Sequence, residues 1–95
     1  MSKKINKEIG NIQEETLKID YDLFNTEELV IIFSFFNTME KNNKHPLKKE
    51  IVLDAYNNYR NTINSISLEK KYNKQFEDKT GICIYKVIKA LKEKN

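Results

Sequence analysis

The chain has no tryptophan, one cysteine, one histidine, one proline and two glycines in 95 residues. Each scarcity excludes something. The lone Cys83 permits no intramolecular disulfide and no paired thiolates for a zinc site, and it fits a reducing compartment. So few glycines and prolines leave little material for the turns of a β-sandwich or barrel. No glycine-rich phosphate loop can be drawn. The longest apolar run, Leu29 to Phe33, is far short of the roughly 20 residues of a membrane span. The start, MSKKINKEIG, has lysines but no apolar stretch of signal-peptide length. The expectation is a cytoplasmic protein with no membrane partner.

What remains is one domain's worth of chain, 39% hydrophobic and 33% charged. That is polar but not a disordered composition. Net charge is +3, unevenly spread. Residues 65–95 carry eight Lys against four acids, while residues 1–64 carry nine Lys and Arg against ten acids.

The apolar content is concentrated in NTEELVIIFSFFNTMEK, Asn25 to Lys41. At about 100° per residue, Leu29, Ile32, Phe33, Phe36 and Met39 fall on one stripe. Ile31 and Phe35 widen it on one side, and Val30 is an apolar misfit among polar residues. Strand alternation fails, because Val30 to Phe33 is continuous. A helix with so wide an arc should be the hub of a small bundle. Asn25 with Glu28 has the form of a capping box, and Thr26 competes as the cap.

Three further helices follow from the same arithmetic. Pro46 suits a first helical position, and Ile51, Val52, Ala55, Tyr56, Tyr59 and Ile63 share a face after it. Ser65 or Ser67 can cap a third helix with a narrow stripe of Leu68, Tyr72 and Phe76. Gly81 suits a left-handed helix end. Cys83, Ile84, Val87, Ile88 and Leu91 form the buried face of a fourth. The expected fold is therefore all-α, a compact irregular bundle of helices at about 26–43, 46–63, 66–78 and 82–93. Residues 1–18, with Ile5, Ile9 and Ile12 at helical spacing but Gly10 between them, read as an arm, either disordered or a frayed helix. Residues 19–95 read as the domain.

From about Ile19 to Lys92 the chain resembles the YktA-like small proteins of Gram-positive bacteria, an uncharacterised family. The matching pieces are Ile19-Asp20-Tyr21-Asp22, Thr26-Glu27-Glu28, Phe35-Phe36 and Met39-Glu40-Lys41. Asp54-Ala55-Tyr56, Glu69-Lys70-Lys71, Phe76-Glu77, Thr80-Gly81 and Tyr85-Lys86-Val87 follow in order. The resemblance implies a compact helical domain and no reaction, cofactor or partner. The first eighteen residues have no counterpart in it.

Chemistry-bearing residues are sparse. Cys83 and His45 are the only possible thiol–imidazole pair, but Cys83 falls on an apolar face and His45 in a connector, so no catalytic residue is assigned. Asp20, Asp22, Glu27 and Glu28 cluster, yet they lack the glycine and alternating ligands of a calcium loop. Acids at a helix start are expected from the macrodipole alone. No metal or cofactor is expected. Lys70, Lys74, Lys86, Lys89 and Lys92 form a candidate basic face, with Lys71 and Tyr85 beside it. Five tyrosines suit either an interface or a core edge with wet hydroxyls. Ile31 and Phe35, the flank of the wide arc, form a candidate partner patch if the bundle leaves them partly uncovered. The resulting expectation is a non-enzymatic protein-interaction module, its partner another protein or a second copy. The alternative is a small nucleic-acid-associated protein using the basic C-terminal helices.

Overall fold

The structure, a computed structural model, describes residues 18–93. The protein is all-α. A single 3-10 turn at Tyr21–Leu23 leads into α1 (Thr26–Lys44), α2 (Lys49–Ile63), α3 (Ile66–Thr80) and α4 (Ile84–Glu93). Apart from Lys18, the arm expected over 1–18 lies outside the described residues.

Local chemistry sets most boundaries. Asn25 caps α1 through a complete capping box: Oδ1 accepts from the Glu28 amide at 2.8 Å and Glu28 Oε1 accepts from the Asn25 amide at 2.9 Å. Thr26 is therefore the first helical residue and not the cap. The helix ends at His45, which is extended at φ −142°, ψ 108°, because a residue before proline is pushed out of the helical region. Pro46 does not open α2 as expected. The Leu47 amide donates instead to Asn42 Oδ1 at 2.9 Å. Half-buried Leu47 then packs on the core, so the linker stays extended until Lys49. Asn64, in the left-handed region at φ 51°, closes α2. Ser65 Oγ accepts from the Leu68 amide and caps α3. Gly81, at φ 79°, ends α3 as its sequence position predicts, and α4 begins two residues later than expected.

The core is a column of aromatic rings carried on helical stripes. Phe35 stacks on Tyr59 with centroids 4.3 Å apart. Phe36 meets Tyr59 edge-on at 5.2 Å and stacks on Phe76 at 4.9 Å. Ile32, Met39, Val52, Tyr72 and Ile84 fill the space around them, each essentially inaccessible to water. The most extensive backbone pairings involve α2, which lies against α1, α4 and α3. The expected hub, α1, reaches α3 through its large rings instead. The half-turn of surplus apolar width on α1 is covered by Tyr56 and Tyr59 of α2, both of which pack on Phe35.

That packing corrects the Phe35 half of the candidate patch. Phe35 is 1% exposed, Ile31 is half-buried, and the residue that does face water is Val30. Ile51 is likewise exposed and not part of the α2 core face.

The chain enters the domain clamped to α3. The Lys18 amide donates to Gln75 Oε1 and Gln75 Nε2 donates back to the Lys18 carbonyl. Ile19 is buried. The Asp20 carboxylate accepts from the Tyr72 hydroxyl at 2.6 Å and from Lys71 Nζ at 3.2 Å. No helix among the described residues is long and apolar enough to cross a membrane.

Candidate interaction groove

Two residues that follow helix starts sit where the core does not need them. Ile66 opens α3 well off the Leu68–Tyr72–Phe76 stripe, and Tyr85 lies beside Ile84 on α4. Both are 68% exposed. Between them runs an open groove of about 470 Å³. Tyr56 and Arg60 of α2 form one wall, and Lys70, Asn73, Lys74 and Glu77 of α3 another. Cys83, Ile84 and Tyr85 close it from the start of α4. Its surface is mainly apolar. A hollow of about 340 Å³ continues it past Tyr56 and Tyr85 to Ile88, Lys89 and Lys92. An adjoining, more polar cleft of about 550 Å³ at the α2–α3 junction shares Arg60, Ile66 and Glu69 with the groove and is otherwise lined by Asn57, Asn61, Asn64 and Ser65.

Several polar side chains of the groove hold its walls together. Glu69 accepts from the Tyr56 hydroxyl at 3.3 Å and from Arg60 Nε at 3.2 Å, which ties α2 to α3. The Tyr59 hydroxyl donates to Asn73 Oδ1 at 2.7 Å. Lys74 pairs with Asp78. Tyr56 lies between two cations, with Arg60 5.6 Å and Lys92 5.9 Å from its ring centre, in cation–π range. Burial first, and then the Glu69 carboxylate, push the Tyr56 phenol above its ordinary range, against the opposing pull of Arg60. Burial also pushes Tyr59 far up. Both phenols are neutral hydrogen-bond donors at any physiological pH.

The expected residues divide. Lys70, Lys74, Lys89 and Lys92 flank the groove and its continuation. Lys86 is exposed on α4 but lines neither. Lys71 turns to the opposite side of α3, held by Asp20. Cys83 lines the groove half-buried. His45 ends α1, and no hydrogen bond joins the two among the described residues. The acids do not converge either: Asp20 is held by Tyr72 and Lys71, and Glu28 by its capping box. No group of three or more His, Cys, Asp or Glu among the described residues is placed to hold a metal ion.

The tyrosines split likewise. Tyr59 and Tyr72 are fully buried with bonded hydroxyls, so their phenols are neither wet nor available to a partner. Tyr85 and Tyr21 are exposed. Sequence reasoning missed Ile66 and the role of Tyr56. Ile66 carried a signal, since an apolar residue off its helix's stripe has no core to face.

The family model for an uncharacterised protein family, UPF0223, matches residues 10–95. The match therefore begins inside the segment for which the resemblance offered no counterpart. A UPF0223 protein of Bacillus cytotoxicus is 32% identical over 75 residues, covering 79% of this chain and 83% of that protein. A UPF0223 protein of Streptococcus pneumoniae is 34% identical over 71 residues, covering 75% and 77%. No solved structure matches the chain.

Proposed function

Because the chain belongs to the uncharacterised protein family UPF0223, a membership that assigns no activity, we propose on physical grounds that it is a non-enzymatic protein-interaction module. Its contact surface is the groove between α2, α3 and α4. One observation carries this reading: two large apolar side chains, Ile66 and Tyr85, stand 68% exposed on a mainly apolar groove. Leaving such residues in water costs free energy that a partner's apolar side chains would recover. An aromatic beside a desolvated pocket, ringed by polar groups, is the usual anatomy of an interface centre.

The groove's charges are scaffold and rim. Glu69 and Asn73 are committed to α2, and Lys74 to Asp78, so these three groups hold the walls of the groove. A nucleic-acid groove needs a continuous positive track. Here Glu69, Glu77 and Glu93 interrupt Lys70, Lys74, Lys89 and Lys92, so protein is the better fit.

Cys83 allows a direct test. A thiol-coupled photo-cross-linker at Cys83 reports what enters the groove in an extract of the native host. The expected result is a protein adduct, reduced roughly fivefold or more by Tyr85→Ala, as for truncation of an interface aromatic. An adduct indifferent to Tyr85→Ala and Ile66→Ser contradicts the reading. A nuclease-sensitive adduct replaces protein with nucleic acid.

A further inference from the structure

Apart from Ile51 on α2, the remaining large exposed apolar residues gather in one region. Tyr21 (45%), Leu23 (60%) and Val30 (58%) lie together at the entry to α1. The Tyr21 ring stacks on Phe33 at 6.5 Å, and the row Glu27, Val30, Phe33 runs along α1 at the three-residue spacing of neighbours on a helix. Asp22 and Glu27 here are exposed and in no ion pair among the described residues. The groove on the other side of the molecule is mainly apolar with a rim of mixed charge, in which Lys70 and Lys89 are exposed and in no ion pair among the described residues. The chain thus carries both halves of a complementary contact.

We propose that the groove is filled by a second copy of this chain, presenting its Tyr21–Leu23 turn and the start of α1. This rests on the reading of the groove as a protein-binding surface. Leu23 and Tyr21 supply apolar bulk for the exposed Ile66 and Tyr85, and Asp22 and Glu27 face Lys70 and Lys89. The helix α3 stands between the two surfaces. Lys71, Tyr72 and Gln75 hold the entry segment on one side of it, and Ile66, Lys70, Asn73 and Lys74 line the groove on the other. At 100° per residue these two sets point in nearly opposite directions. A two-fold pair cannot satisfy both surfaces at once. Association is therefore head to tail, in rows or rings, with one groove and one turn left open at each free end.

Complementary charge also dictates the test, by sedimentation velocity of the full chain from micromolar to millimolar concentration at low salt. The wild type should associate as concentration rises, and salt should weaken the association. Lys70→Glu with Lys89→Glu makes both surfaces acidic. Asp22→Lys with Glu27→Lys makes both basic. Each double variant alone should associate roughly tenfold more weakly or worse. An equal mixture of the two should regain association, because each acidic surface now meets a basic one. Circular dichroism midpoints verify that both variants fold. Leu23→Ser, an uncharged change at an exposed site, should weaken association without moving the midpoint. A wild type that stays monomeric throughout overturns the proposal, as does a mixture of folded variants that stays monomeric. In either case, a host protein captured at Cys83 and lost with Tyr85→Ala leaves the groove reading standing. Failure of that capture as well removes both.

Discussion

At the residue scale, the aromatic column decides stability. Phe36 touches Phe35, Tyr59 and Phe76 and is almost wholly buried. Phe36→Ala should cost about 3–5 kcal/mol in denaturant titration, as removal of a buried phenylalanine does. Phe35→Ala should behave alike, since Phe36, Tyr56 and Tyr59 enclose it. The hydroxyl of Tyr72 has a different role. The Tyr72 hydrogen bond, with Lys71 beside it, holds the Asp20 carboxyl below its ordinary range. Burial, with that hydrogen bond to Asp20, pushes the Tyr72 phenol up to about 12. The signs give two windows. Asp20 has a depressed folded pKa, so its stabilisation is present above its unfolded value of 3.8 and fades as pH falls through the lower folded value. Tyr72 has a raised one, so its neutral form stabilises fully below 10.0 and the effect is lost as pH rises towards about 12. Urea midpoints across pH should fall at both ends. Tyr72→Phe should flatten both flanks, and an unchanged profile would mean the Tyr72–Asp20 hydrogen bond does not contribute.

At the element scale, helix ends carry separable increments. Ser65→Ala removes the cap of α3 and should cost about 1 kcal/mol. Gly81→Ala should cost roughly 1–2 kcal/mol, and the cause is conformational alone. A Cβ at Gly81 would meet nothing within 4 Å, yet φ is +79°. Thermal or denaturant unfolding of the two variants and their combination checks the values, and additivity is expected for well-separated sites. These ends were legible in the sequence because caps and left-handed stops are local chemistry. The start of α2 was not. Pro46 satisfies the rule for a first helical position, but Asn42, five residues back, captures the Leu47 amide and delays the helix. A bond made by a side chain from the preceding helix leaves no local signal.

At the scale of the whole molecule, stripes announced four helices but not their neighbours. Amphipathic periodicity reads which residues avoid water, and Phe36, Val52, Tyr72, Phe76 and Ile88 are indeed in the core. It does not read which helix covers which flank. Phe35 therefore looked like an exposed edge until Tyr56 and Tyr59 were seen to enclose it. The groove is a product of three helices meeting, so only some of its parts were read: Lys70, Lys74, Lys89 and Lys92 by charge and Tyr85 beside them, while Ile66, apolar off its helix's stripe, was missed. Charge reversal at Lys70 and Lys89 should change association and leave the unfolding midpoint nearly unmoved, since both side chains face solvent.

Amide chemical shifts of the full chain, followed as its concentration is raised, test the contact surface most directly. Shifts should move together at Ile66, Lys70, Asn73 and Lys74 of α3, at Tyr85 and Lys89 of α4, and at Tyr21, Leu23 and Val30. Residues of the polar α2–α3 cleft, such as Asn57 and Asn61, should stay still. Concentration-dependent shifts confined to the cleft, or to the half-buried Ile31 side of α1, would contradict the groove as the surface through which this protein acts.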